Sequence, residues 1–141
     1  MADPTETILT ALRTVTGFTG GIYDGQVPAQ VPTDTSGHVK PYAVLWAGPG
    51  TDLPTERTLT GLYDTGVLDW RPQLTVVGAT PAICRQACDA AISVLANLPM
   101  PGGGYLRPDS DLLSQMVPTA DNQVTPGRFY LPVPLYVLTT R

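Results

Sequence analysis

From Arg128 to Leu138 the sequence alternates with a period of two: Phe129, Leu131, Val133, Leu135 and Val137 fall on one side and the residues between them on the other. Only an extended strand gathers such a set on one face, so a long final strand with these five residues toward a core is the firmest constraint on the fold. Two of the residues between are Pro132 and Pro134. Residues two apart direct their backbone N–H groups to the same lateral edge, so these prolines remove two donors on one side only. The strand is expected to be an edge there, or to meet another chain without a full ladder.

A second alternation runs from Val67 to Val77, with Leu68, Trp70, Leu74 and Val76 on one face and Asp69, Arg71, Gln73 and Thr75 on the other. It reads as a strand with one wet face. Tyr42-Ala43-Val44-Leu45-Trp46 is a compact strand stopped by Gly48-Pro49-Gly50, and Gly21 to Asp24 is a shorter one. Leu112 to Val117 is expected to add a further short strand, with Pro118 to Gly127 a turn region. Asp3-Pro4-Thr5-Glu6 carries a cap, a first-turn proline and a carboxylate three residues after the cap, and Ile8, Leu9, Leu12 and Val15 recur at helical spacing. That predicts a helix over 4–16, stopped at Gly17. Thr80-Pro81 opens a second, predicted to run to Leu98, on which Cys84, Ala87, Cys88, Ala91, Leu95 and Leu98 leave only the narrow polar stripe Arg85, Asp89, Ser93 and Asn97. Such a helix belongs on a sheet. Prolines at 28, 32 and 41 make 25–41 an extended loop. The fold class expected is α+β: a small mixed, mainly antiparallel sheet with two helices packed on one face and long loops, in a single domain over residues 1–141.

The 141 residues suffice for one core without disulfide or metal staples. Charged residues are 14%, against a usual level of about 25%, so the surface is left to Thr, Gly, Pro, Ser and Gln. Eight basic residues scattered singly in a chain of net charge −4 argue against the concentrated positive field that phosphate backbones require. No apolar run approaches the ~18 residues of a membrane span, and the first thirty residues lack a basic start followed by an apolar stretch, so a soluble, unprocessed chain is expected.

Side chains that could carry chemistry are few. Cys84 and Cys88 share one helix face, read as small buried apolar residues, reduced and dispensable, because zinc would need two more soft ligands. His38, the single histidine, sits in the proline loop without an orienting partner. Gly102-Gly103-Gly104 follows a helix and carries no Lys, so it reads as a connector rather than a phosphate cradle. The Asp109/Asp111 and Asp64/Asp69 pairs lack a completing ligand set. The polar stretch from Gly48 to Gly66 is long for a compact domain, which points to a contact role.

Taken in order, the capped first helix, the short strand ending Tyr23-Asp24 with Val27-Pro28 soon after, the Pro41-Tyr42-Ala43-Val44-Leu45 strand, the long loop, the strand over 66–76, the alanine-rich helix and the terminal strand resemble the tail terminator proteins of long-tailed bacteriophages. The likeness runs from about Thr7 to Thr139, and related tail-completion and neck proteins share the plan. It implies a structural virion protein without enzymatic activity or cofactor, assembled in the host cytoplasm as a six-membered ring that caps the tail tube. Its implied partners are further copies of itself, the major tail tube protein and the head-tail connector or stopper protein. Membranes and sequence-specific nucleic acid are not among them, although DNA would pass through the pore. Ring contacts on sheet edges and long loops would correspond to Arg128, Tyr130, Pro132, Pro134 and Tyr136 at the subunit interface. The contact with the tube or adjacent ring would fall to Thr51, Asp52, Leu53, Glu56, Arg57, Leu59, Leu62 and Asp64. The alternatives are another neck ring such as a stopper, a small enzyme using His38 and the scattered carboxylates, and a monomeric binding module, which would need a concave apolar pocket.

Overall fold

The alternating final segment forms a 13-residue strand around which the sheet is arranged. The structure, a computed structural model, describes residues 4–48, 51–52, 67–101, 103–121 and 123–140. In chain order the elements are α1 (Pro4–Arg13), β1 (Ile22–Asp24), β2 (Tyr42–Trp46), β3 (Thr51–Asp52), β4 (Val67–Trp70), β5 (Gln73–Gly78), α2 (Pro81–Leu95), β6 (Leu98–Pro99), β7 (Tyr105–Pro108), α3 (Ser110–Leu113), β8 (Thr119–Asp121) and β9 (Arg128–Thr140). The main path of the sheet is β1-β2-β5-β9-β4-β3, with β7 and β8 also paired to β9 and β6 paired to β7. The β1–β2 pair is parallel, and the other pairs among the described residues are antiparallel. The architecture is α+β, as the alternation and the two amphipathic helices require.

β4 and β5 lie along β9 in one unbroken register. Trp70 is opposite Val137, Gln73 opposite Pro134, and between them the Leu135 N–H donates to the Pro72 carbonyl at 3.0 Å. Pro72 has no N–H to return, which divides the long predicted strand in two without shifting it. Trp70, Pro72, Leu74 and Val76 are buried, while Arg71 and Gln73 are exposed. On the same face Ala43, Leu45, Leu131, Val133, Leu135 and Val137 complete the sheet side of the core. Ile8, Leu9 and Leu12 of α1 and Cys84, Ala87, Cys88, Ala91 and Leu95 of α2 close it from above. Each large apolar side chain so buried contributes roughly 1.5–3 kcal/mol by removal from water.

The α2 start is as the sequence indicates: Thr80 is the cap, its side-chain oxygen accepting from the Ile83 N–H at 3.2 Å, with Pro81 in the first turn. α2 then lies so close to the sheet that a Cβ on Gly78 would come 2.9 Å from the Cys84 backbone nitrogen, so only glycine fits there. Its end differs from expectation. Asn97 takes a left-handed conformation (φ 63°), turning the chain so that Leu98 and Pro99 pair with Leu106 and Tyr105 around the glycine turn. Asn tolerates that backbone better than most residues, which is why the apolar period overruns the helix. α1 stops at Arg13 rather than at residue 16 because the Thr14 and Val15 N–H groups turn tightly to the Ala11 and Leu12 carbonyls. Over 112–117 the expected strand is absent. Asp109 caps a helical turn, accepting from the Leu112 N–H at 3.3 Å, and the chain continues through two further tight turns to Met116. Residues 119–121, expected in a turn, form β8, and 105–108 add the strand β7, which no sequence period marks.

The 25–41 loop covers part of the opposite sheet face, where Val39, Tyr42, Val44 and Val77 form a second small core with Tyr23 and Val31 against it. The Tyr23 and Tyr42 rings meet edge to face at 5.9 Å. Among the described residues no helix is long and apolar enough to cross a membrane, and no group of three His, Cys, Asp or Glu side chains could hold a metal ion.

Both cysteines are free and buried on the sheet-facing side of α2, the Cys84 thiol 3.5 Å from the Val76 carbonyl. Burial pushes the Cys84 thiol from its ordinary 9.0 up to about 11, slightly opposed by Arg85. It pushes Cys88 up to about 12, with Asp89 and Cys84 adding to the effect. In the pH range above about 9 the unfolded chain releases these protons while the folded chain keeps them, so stability falls as pH rises from there toward 12. Denaturant titrations across that range should show the decline in the wild type. A Cys84→Ala/Cys88→Ala variant should lose this part of it while costing about 1–2 kcal/mol per site in stability at neutral pH.

Candidate interaction surface

From Arg128 to Tyr136 the even-numbered residues of β9 point away from the helices, so Arg128, Tyr130, Pro132, Pro134 and Tyr136 all lie on the sheet face that α1 and α2 leave uncovered. Their neighbours there follow from the register. Tyr130 is opposite Val77 and Thr119, Pro132 opposite Thr75, Pro134 opposite Gln73, and Tyr136 opposite Arg107. Arg71, in the unbroken β4–β5 register, falls on the other side of Tyr136.

The prolines do face one side, as expected, but β9 is not an edge strand: it has partners along both sides. Because the Leu135 N–H points toward Pro72, the nitrogens of Pro132 and Pro134 point the other way, where the Pro134 carbonyl accepts from the Asp109 N–H at 2.8 Å. On that side β8 pairs with residues 128–130 and β7 with 135–136. The prolines therefore sit at a four-residue window between two short strands. The sequence marks missing donors but cannot reveal that distant segments close the flanks.

Of the second predicted group, Thr51 and Asp52 belong to β3, opposite Asp69 and Leu68, rather than to a loop. Leu53, Glu56, Arg57, Leu59, Leu62 and Asp64 lie outside the described residues. The two groups are joined through β4, which links β3 to the far end of β9.

The uncovered face holds a cleft of about 780 Å³, lined among others by Val27, Tyr42, Val77, Val124, Arg128 and Tyr130. The Arg128 guanidinium donates from Nε and Nη2 to the Pro126 carbonyl at 3.3 and 3.1 Å and from Nη1 to the Tyr42 hydroxyl at 3.4 Å. It thereby ties the β8–β9 turn to β2 and keeps its charge at the cleft. Nearby the exposed Trp46 indole donates to the Thr75 hydroxyl at 3.1 Å. Sequence reasoning missed Val27, Trp46 and Val124; the alternation of β2 could have placed Trp46, but the other two sit in irregular segments that carry no period. A second hollow of about 510 Å³ lies at the α2 start beside His38, Lys40 and Thr80. His38 is exposed there, and its backbone N–H donates to Asp34 Oδ1 at 3.0 Å.

No protein-family model matches the chain, and no curated protein sequence does. A solved structure does. The chain has the fold of a protein in the virion of a native gene transfer agent (GTA) particle. The two superpose with a TM-score of 0.55, covering 95% of this chain and 92% of that one at 16% sequence identity. The likeness covers nearly all of both chains, and at this identity it is a likeness of fold.

Proposed function

We propose that this chain is a structural virion protein, a tail terminator that assembles as a ring, with six subunits the expected number, at the head end of a phage tail. The observation that carries the reading is the end-to-end match to a chain of a virion particle. The element order that resembles tail terminators, the uncovered aromatic and proline-rich face, and the low charge of the chain support it. In this reading Arg128, Tyr130, Pro132, Pro134 and Tyr136 belong to the contact between subunits. The segment from Thr51 to Asp64 reaches the major tail tube protein or the adjacent connector ring. The protein acts by contact, without catalysis or a cofactor.

Light scattering of the purified protein, with imaging of the assembled particles, tests this. A mass near six subunits and a central pore at the junction of head and tail are expected. A ring between the head connector and the terminator layer would make it a stopper instead. A strictly monomeric protein, alone and in particles, would remove the ring altogether.

A further inference from the structure

Two exposed surfaces of this chain both carry apolar side chains, one beside basic residues and the other beside an acidic one. On the uncovered face, the cleft presents Val124, Tyr130 and the half-exposed Val27 (53%) beside Arg128, which has two guanidinium N–H groups left after its three hydrogen bonds. Asp121, opposite Arg128, turns one carboxylate oxygen back to the Gln123 N–H at 3.4 Å. Farther along the same face Arg71 and Arg107 stand on either side of Tyr136, both exposed. Arg107 and Arg128 thus stand against Asp121 among the described side chains of this face.

The second surface is the corner formed by residues 109–117. Leu113 and Met116 pack against the core and Asp109 caps the turn, so the corner is held from behind. Leu112 (48%) and Val117 (69%) project from it with Asp111, and no basic residue occurs in the segment. Held from behind, these two side chains offer a partner apolar area that it can bury without reordering the turn.

We propose that this corner of one copy seats in the cleft of the next, with Leu112 and Val117 against its aromatic and valine lining and Asp111 toward the arginines. The occupant is a second copy of this chain, and the inference rests on the ring reading. Corner and cleft are different surfaces of one molecule, so the contact is heterologous and closes into a ring when repeated about an axis. The contact is one of side chains and needs no ladder at the Pro132–Pro134 window, where two donors are missing and the Pro134 carbonyl already accepts from Asp109.

The test is a Leu112→Cys/Val124→Cys variant, oxidised under mild conditions near pH 8 and run on a denaturing gel without reductant beside both single variants. Cys84 and Cys88 are buried and stay as thiols, so they add no cross-links. The double variant should give a ladder of covalent oligomers and the single variants only monomers. In an independent arm, Asp111→Arg should raise the concentration needed for assembly by at least about tenfold. If the wild type forms rings but the double variant gives monomers only, or dimers and nothing larger, the inference is wrong while the ring stands. If the wild type never assembles, both fall together.

Discussion

Replacing Trp70 by Ala is expected to cost about 3–5 kcal/mol of stability, the range for removing a buried aromatic side chain. Trp70 is 4% exposed in the core, opposite Val137, and its indole N–H donates to the Gly48 carbonyl at 2.7 Å. The indole therefore fixes the exit of β2 to the β4–β9 pair across 22 residues of sequence. Its loss opens a cavity and leaves a carbonyl without its donor. Since a domain of this size has a total stability of roughly 5–15 kcal/mol, a urea titration should show the midpoint falling by a large fraction. Trp70→Phe keeps most of the bulk and loses the N–H, so it should fall between wild type and Ala. An Ala variant within about 1 kcal/mol of wild type, the scale of one ordinary hydrogen bond, would show that the indole is not what joins the two halves of the sheet.

Shortening the segment between Asp52 and Thr60 is expected to leave the melting temperature nearly unchanged and, under the tail-terminator role proposed above, to abolish the joining of tails to heads. β3 and β4 pair directly through Thr51–Asp69 and Asp52–Leu68, so closing a shorter connection between them adds no entropic cost. From Thr51 to Asp64 the segment is rich in Thr, with Asp52, Glu56, Arg57 and Asp64 among them and Leu53, Leu59 and Leu62 as its apolar anchors, a composition better suited to covering a partner than to forming a core. The readout is thermal unfolding of the variant together with a count of tailed, DNA-filled particles. Normal particle yield with a normal melting temperature would reduce the segment to a solvated connector.

What the sequence determined by itself was every element with a long period and a clear punctuation mark. Phe129 to Val137 and Leu68 to Val76 declare strands because a period of two has no other geometric meaning, and Thr80-Pro81 declares a helix start because the cap and the absent N–H act locally. From these alone the helix-covered face could be listed residue by residue, and with it the opposite set Arg128, Tyr130, Pro132, Pro134 and Tyr136. Tertiary structure decided whatever depends on a partner distant in the chain. Tyr105 to Pro108 and Thr119 to Asp121 are too short and too rich in turn formers to announce themselves, and they become strands because β9 offers them a ladder. Asp109 to Val117 has a strand-like apolar content yet folds as a capped turn, since the Asp109 carboxylate supplies a local hydrogen bond and Leu113 and Met116 find the core at helical spacing. The cleft likewise exists only because Val27 of the 25–41 loop and Val124 of the β8–β9 turn line one sheet face together, the turn being tied to β2 by Arg128 and Tyr42 across 86 residues. Local periodicity fixes which way a side chain points, whereas what it points at is set by pairings whose free energy comes from segments far apart.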